Sequence, residues 1–534
     1  MPEVSQETKN LISSYEQWVR LQEKKEGRST IHVDEIASRL ASFYEKIRGV
    51  IEWKEEHLLK RAAVERSLKR RLLIKTNAQE LAEPLVLELI RGGYFPNDFI
   101  EDSKIEEVKK ILEKYIYILN HSPKPPEEKL KIHLYDWLLG ICACEIEAVL
   151  SPPIRELALI DYMTEIMKKR IEVGSGGIIQ KTLPEQEKEI QTYIAVHRAL
   201  FKLDNPIVSY HLLRKKYPSW QNLSQEDLEE ISKNIYQVWK EIESQLNHPL
   251  TEKFYSLCEK YDTLFLILGD IISENPREIS KILSHPETLE QKIRHFYQIR
   301  LKKLKSKIAR AAVFSTISIF LTKMLIAFAI EVPFDKYVLK EFNPTSLWFN
   351  LLIPPLLMFF LVVSVRTPRT ENLEKVVMEV MKIVYNKERK DVYQIKIPKK
   401  RGLVVGFLIF IIYLLTFLVS FGLIYTGLRK LNFSLLSIII FIMFFSLISF
   451  AGLKIRERAK ELTVTKEKSG PLSILIDTFS LPFLRLGRWL SKQWSRFNIV
   501  VVLITAFFDM PFHLFVEFLE QWRYFLKEKK GEIH

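Results

Sequence analysis

Five polar side chains recur at four-residue steps near the C-terminus of the chain. They are Thr505, Asp509, His513, Glu517 and Gln521. Residues four apart lie on one face of an α-helix, so these five predict a single polar stripe. Histidine titrates near neutral pH, and His513 has a carboxylate one turn to either side. Inside a membrane, ionisable groups arranged in this way are typical of an ion or proton path.

The same stripe also fits an amphipathic helix that lies on a membrane surface. The apolar run before it, 497–508, has only 12 residues, which is too short to cross a bilayer alone. The tail after it is basic, with Lys527, Lys529 and Lys530, and lysines are retained on the cytoplasmic side. The charge rule therefore favours a surface helix whose stripe faces water or lipid headgroups.

A single charge, Lys323, lies near the middle of an apolar stretch at 311–330. A lysine at the bilayer centre costs about 3 kcal/mol on insertion scales, so a carboxylate partner would stabilise it. Asp509 or Glu517 could supply that carboxylate if the tail helix packs nearby. Alternatively, the long stem of the lysine carries its ammonium to the membrane surface. The candidate ion or proton path is Lys323, Asp509, His513 and Glu517.

Four stretches with at most one charge predict membrane-spanning helices. They cover 311–330, 346–365, 402–428 and 431–453. A bilayer core requires about 20 apolar residues in a helix, and each stretch meets that length. The second contains Pro354-Pro355. Paired prolines interrupt helical hydrogen bonding, both at simple kinks and in the broken helices of transport sites.

Basic residues flank these stretches unevenly. They concentrate before the first stretch, in the loop 366–401 and in the segment 454–496. Because basic residues stay on the cytoplasmic side, all three regions predict an integral membrane protein with a cytoplasmic N-terminal domain, in the plasma membrane if the cell is bacterial. The side chains that we expect at lipid headgroups are Lys302, Lys303, Lys305, Lys307, Arg310, Arg485 and Arg488.

Two further segments carry an apolar stripe without the composition of a span. In the loop 366–401, apolar residues between Leu373 and Val384 recur at helical spacing. This pattern fits an interfacial helix or a helix packed on the soluble domain equally well. In 472–490, apolar residues are mixed with Arg485 and Arg488. We interpret the second segment as lying on the membrane surface.

The N-terminal part of the chain predicts a soluble, helical domain. Glycine is scarce, with 17 of 534 residues, and apolar residues recur with a helical period, as at Val33, Ile36, Leu40 and Phe43. The fold class is therefore all-α, with a soluble domain followed by a multi-pass membrane domain. The expected order is a helical cytoplasmic domain at 1–299, a basic juxtamembrane helix end at 300–310, four transmembrane helices with a cytoplasmic amphipathic loop at 311–453, and an interfacial segment with the striped helix at 454–534.

The sequence contains no motif of a known catalytic, metal or dinucleotide site. It has no His-Glu-x-x-His, no Gly-x-Ser-x-Gly and no glycine fingerprint, which favours a non-enzymatic protein without metal or cofactor. Its three cysteines, Cys142, Cys144 and Cys258, are too few for a four-thiolate zinc site, and we expect them to be free and buried. A basic run at 60–75 lacks the interleaved aromatic residues of a nucleic-acid surface.

These observations predict a membrane-anchored scaffold or interaction protein. Its partners would be membrane lipids and a protein, or a second copy of the chain, bound through the N-terminal domain. The net charge of +14 is explained by the membrane flanks rather than by nucleic acid. The alternative is a small transporter or channel-like protein that uses Lys323, Asp509, His513 and Glu517. A more distant alternative is an intramembrane enzyme built on the same tail residues.

Overall fold

The computed structural model describes most of the chain, in segments. The described residues are 4–23, 29–52, 56–73, 77–174, 183–340, 343–365, 368, 370–385, 392–396, 402–464, 471–496 and 510–532. Within these segments the chain is overwhelmingly helical, as the sequence predicts. The described residues also include one pair of short strands, which the sequence did not indicate.

In the part of the chain that the structure describes, thirteen α-helices lead into the first apolar stretch. They are α1 Gln6–Glu23, α2 Glu35–Glu52, α3 Glu56–Leu72, α4 Ala78–Arg91, α5 Ser103–His121, α6 Glu128–Leu150, α7 Ile154–Arg170, α8 Glu185–Phe201, α9 Asn205–Lys216, α10 Gln225–Leu246, α11 Thr251–Glu274, α12 Ile279–Ser284 and α13 Pro286–Ile326. Several begin at a side-chain cap. Asn77, Asp204 and Ser224 accept hydrogen bonds from the first turns of α4, α9 and α10, as these residue types do at helix N-termini.

A first hydrophobic core surrounds α6. Every side chain from Leu138 to Ile146 is buried there by neighbouring helices. Glu145 lies in this core and accepts hydrogen bonds from Lys114, Tyr115 and Trp220 at 2.6–2.9 Å, so the buried charge is fully paired. Together α6 and α7 are apolar enough for one span, but the chain bends by 113° between them.

A second core joins α1, α7, α8, α11 and the start of α13 to the connection between the second and third apolar helices. That connection contains α15 Thr370–Val384, whose apolar face, including Val376 and Val380, is buried in this core. It also contains β2 Tyr393–Lys396, which pairs in parallel with β1 Ile171–Gly174. The sequence pattern fits either an interfacial helix or a helix packed on the N-terminal helices. In the structure, α15 packs on the N-terminal helices.

Among the described residues, four helices are long and apolar enough to cross a membrane. They are α13 with its extension to Val338, α14 Pro344–Val363, α16 Leu403–Lys430 and α17 Leu435–Ala459. The first extends beyond residue 330 through two π-helical turns, Ala327–Glu331 and Phe334–Val338. α14 continues through Pro354 and Pro355 without a break. α13, α14 and α17 pack together, whereas most side chains of α16 are exposed. We call these four helices the apolar bundle.

The segment 472–490 packs along the apolar bundle. It belongs to α18 Pro471–Arg496. A Cβ atom on Gly487 would lie 2.1 Å from the carbonyl oxygen of Ser446, so glycine is required for α18 to approach α17 this closely. The ring of Phe483 lies 4.7 Å from Phe421 of α16 and 4.8 Å from Phe445 of α17. This contact buries apolar surface of α16, α17 and α18.

The last helix, α19 Met510–Glu532, packs on α2. Val516 contacts Ala37 and Ala41. Two apolar side chains of the periodic face of α2 remain exposed, Ile36 at 56% and Phe43 at 62%. The reason is that the small side chains of a neighbouring face admit α19 closely.

Candidate functional site

Lys323 is completely buried among α13, α14 and α17. Its Nζ lies 2.5 Å from Oε1 of Glu331, which is only 1% exposed. The same ammonium lies 5.3 Å from the ring centre of Phe444 on α17, close enough for a cation–π interaction. The structure therefore gives Lys323 a carboxylate partner from its own extended helix. This partner is not among the carboxylates that the sequence suggested for Lys323.

Glu331 connects three helices of the apolar bundle. Its Oε1 accepts from Lys323, and its Oε2 accepts from Nδ2 of Asn350 on α14 and from Oγ of Ser437 on α17. A buried carboxylate is tolerated only when it is paired and hydrogen-bonded, and these three donors meet that need. We call Lys323, Glu331, Asn350 and Ser437 the polar cluster.

The π-helical turn Ala327–Glu331 positions the carboxylate of the polar cluster. In a regular α-helix, eight residues would separate Lys323 from Glu331 by about 12 Å along the axis. Side chains lean toward the helix N-terminus, so Glu331 points back toward the lysine. Both side chains are long enough to close the remaining gap. Turns of this kind are rare and frequently occur at functional sites.

One atom of the polar cluster has no hydrogen-bond partner within the described part of the chain. It is Oδ1 of Asn350, which is buried. A buried acceptor left without a donor costs about 1–3 kcal/mol. The polar cluster can thus accept a further donor, such as a water molecule, at Asn350, and Glu331 is a group that can carry a proton.

The other residues of the candidate path belong to the C-terminal segment. Asp509 lies outside the described residues. His513 and Glu517 are positions of α19, but their side chains are likewise outside the described part of the structure. The structure therefore brings Lys323 together with Glu331, and the predicted pairing of Lys323 with the tail falls outside the described residues.

The described side chains of α19 contact the N-terminal helices. Glu520 is buried, accepts a hydrogen bond from the backbone N–H of Asp34 at 3.1 Å and pairs with Arg91 of α4. Arg523 lies 3.1 Å from the carboxylate of Asp34. The rings of Phe512 and Tyr44 are stacked 4.2 Å apart. Charged and aromatic contacts together attach α19 to α2 and α4.

The seven basic side chains expected at lipid headgroups are exposed. Five of them, Lys302, Lys303, Lys305, Lys307 and Arg310, lie on α13 just before its apolar part. Arg485 lies 4.2 Å from the ring centre of Tyr413 on α16, and Arg488 is on the next turn of α18. The first group therefore surrounds one helix where it enters the apolar bundle, while Arg485 contacts a helix of the bundle itself.

Several titratable groups are buried in the N-terminal helices. All three cysteines are free and buried, as predicted, and burial raises the pKa of each thiol, which keeps it protonated and unreactive. Burial is also the main reason that the pKa of Asp262 is raised to about 8 from an ordinary 3.8, with Lys202 opposing that rise. Nζ of Lys202 is 3.9 Å from the Asp262 carboxylate.

Within the described residues, no group of three or more His, Cys, Asp or Glu side chains could hold a metal ion. No protein-family model, curated protein or solved structure matches the chain.

Proposed function

We propose that the protein is a membrane-anchored scaffold that holds a helical domain in a fixed position on the cytoplasmic surface of a membrane. The observation that carries this proposal is the burial of α15 and β2 in the second core. A domain on a flexible linker would turn freely relative to its anchor. Here a connection between two apolar helices is itself part of the domain.

α13 is the first rigid attachment. It is one helix of 41 residues, or about 60 Å at 1.5 Å per residue. Leu289, Ile293 and Tyr297 lie in the second core, and Lys323 lies in the polar cluster. Because a continuous helix resists bending, the orientation of the domain follows that of the apolar bundle.

Asn372 connects α13 to the segments that follow α14 and α17. Its Nδ2 donates to the hydroxyl of Tyr297 at 2.9 Å and to the carbonyl of Leu462 at 2.6 Å. Its Oδ1 accepts from the backbone N–H of Val464 at 2.8 Å. Segments that follow α14 and α17 thereby meet α13 at a single buried amide. A domain held in this way loses little conformational freedom on binding a protein or a second copy, which favours affinity.

The fixed position is tested with the full-length protein in nanodiscs. Spin labels at the exposed positions 225 on α10 and 454 on α17 report the distance between domain and bundle. We expect a narrow distance distribution in the parent and in the exposed control Glu371→Ala, and a broader one in Asn372→Ala. A broad distribution in the parent would contradict the proposal.

The scaffold role requires a binding partner in addition to a fixed domain. The mass of the nanodisc-embedded protein distinguishes a dimer from a monomer, and the same particles serve as bait for protein partners. Support would be a dimer, or a partner that binds at a fixed ratio and is weakened by Asn372→Ala. A monomer that reproducibly captures no partner would refute the scaffold role.

The polar cluster favours a second function, movement of protons or ions through the apolar bundle. Asn350 has a buried oxygen with no hydrogen-bond partner among the described residues, and Glu331 lies at a π-helical turn. We rank this function second because protein donors already occupy both oxygens of Glu331. Liposomes with an internal pH dye test it. A flux in the parent that is lost in Glu331→Gln and kept in Glu371→Gln would support transport; absence of flux in every protein would remove it.

A further inference from the structure

A groove of about 490 Å³ lies where α11 and α13 reach the apolar bundle. Its walls come from α11 and from the part of α13 that precedes the apolar stretch, and the chain just after α17 closes one end. The volume is within the range of small-molecule sites, about 300–1,000 Å³. A bound group would therefore contact three segments of the chain at once.

The α11 wall of the groove is acidic, but its carboxylates are already paired. Two nitrogen atoms of Arg300 lie 2.5 and 2.9 Å from the oxygens of Asp270. Nζ of Lys292 lies 2.5 Å from Glu274. Both charges on this wall are therefore compensated within the protein.

The α13 wall carries two lysines, Lys303 and Lys307, that are available to a ligand. They lie one turn apart on one face of the helix, and both are exposed. Among the described residues, neither has a carboxylate within ion-pair distance. Glu461 adds one negative charge at the end of the groove, which leaves an excess of positive charge that attracts an anion.

The position of the groove relative to the apolar stretch identifies the kind of anion. Lys307 precedes Ala311 by four residues, or about 6 Å along the helix, and Lys303 precedes it by about 12 Å. The headgroup layer of a bilayer extends about 5–8 Å beyond the hydrocarbon on each side. With the apolar bundle in a membrane, Lys307 lies at the depth of the lipid phosphates and Lys303 just above them.

We propose that this groove binds the phosphate of an anionic phospholipid headgroup from the leaflet nearest the N-terminal helices. Lys303 and Lys307 are the cationic contacts, since a lysine ammonium binds phosphate as a point charge. The acyl chains extend along the apolar part of α13. This site goes beyond the scaffold function and requires only that the apolar bundle lies in a membrane.

Native mass spectrometry of the full-length protein tests the site. Delipidated protein is mixed with phosphatidylglycerol or phosphatidylcholine, and lipid per chain is counted. The test variant is Lys303→Gln with Lys307→Gln. Its matched control, Lys302→Gln with Lys305→Gln, removes the same charge from exposed positions of the same helix that do not line the groove. Lys302 and Lys305 attract headgroups only through their charge, whereas Lys303 and Lys307 line the groove. We therefore expect one retained phosphatidylglycerol in parent and control. We expect an affinity about 30-fold lower in the test variant than in the control, since each direct hydrogen bond from a lysine ammonium to the phosphate is worth about fivefold.

Three results would overturn the proposal. Equal loss in both double variants would mean that the helix attracts lipid through its overall charge. Equal retention of phosphatidylcholine would remove the selectivity for an anionic headgroup. Displacement of the lipid by millimolar inorganic phosphate would assign the groove to the free anion. Thermal unfolding of each variant verifies that all of them are folded, and the scaffold proposal is judged separately by the distance measurement.

Discussion

Breaking the ion pair of the polar cluster should destabilise the apolar bundle strongly, whereas removing both charges together should not. Lys323→Met retains an apolar stem of similar length but leaves the carboxylate of Glu331 without its cation. Both groups are almost completely excluded from solvent, at 0% and 1% exposure. Neither can therefore gain hydration when its partner is lost, so the cost is not reduced by solvent as it is for a surface pair.

The expected magnitude follows from the remaining contacts. Removing one partner of a buried pair costs about 3–5 kcal/mol. In Lys323→Met, Glu331 keeps its hydrogen bonds from Asn350 and Ser437, so we expect about 3 kcal/mol. In Glu331→Gln, Lys323 keeps the ring of Phe444 and a neutral acceptor, and we expect a similar loss. The double variant, Lys323→Met with Glu331→Gln, contains no unpaired charge and should lose about 1–2 kcal/mol. The two single losses of about 3 kcal/mol each exceed this by about 4–5 kcal/mol, which is the expected coupling energy.

The assay is reversible unfolding in mixed micelles, followed by circular dichroism, for the parent, both single variants and the double variant. Met324→Leu is the control, since Met324 is adjacent to Lys323 and 40% exposed, and it should change stability by less than about 0.5 kcal/mol. If the effects of the two single variants add to that of the double variant within about 0.5 kcal/mol, the two charges do not interact and the reasoning is refuted.

Three further changes have defined outcomes. Asp262→Asn should flatten the pH dependence of stability. Because the folded-state pKa of Asp262 is about 8 against an ordinary 3.8, the parent loses stability as pH rises from about 4 to 8. In urea unfolding, the free energy of unfolding of the variant relative to that of the parent should therefore be higher at pH 8.5 than at pH 4. Asn372→Ala leaves the buried Leu462 carbonyl and Val464 N–H without partners and should cost about 2–4 kcal/mol, measured by thermal unfolding against Glu371→Ala. Glu520→Gln removes the charge that pairs with Arg91 and should accelerate hydrogen exchange in α19, whereas the exposed Glu528→Gln should not.

Local patterns were sufficient to predict a helical chain with four apolar helices. The four apolar helices were predicted because length and hydropathy are properties of a contiguous segment. Lys323 was identified as a candidate because a single charge in an apolar stretch is conspicuous without any knowledge of its neighbours. The burial of the three cysteines followed from the usual behaviour of free thiols.

The partners of Lys323 could not be predicted in the same way. The predicted span 311–330 ends where a charge follows, which leaves Glu331 outside it. Its burial depends on a π-helical turn and on donors from Asn350 and Ser437, which are 19 and 106 residues away in the chain. The sequence offers two indications of this pairing. Glu331 directly follows the first apolar stretch, and Asn350 is an amide within the second.

The sequence by itself determined where the helices of this protein form and which of them are apolar enough for a membrane, because helical periodicity and hydropathy are encoded locally. Only the tertiary structure decided which faces are covered: α15 packs in the second core, α18 packs along the apolar bundle, and α19 packs on α2 at Ala37 and Ala41. An apolar stripe requires burial but does not specify a partner, and the partner depends on side chains that meet only when the chain is folded.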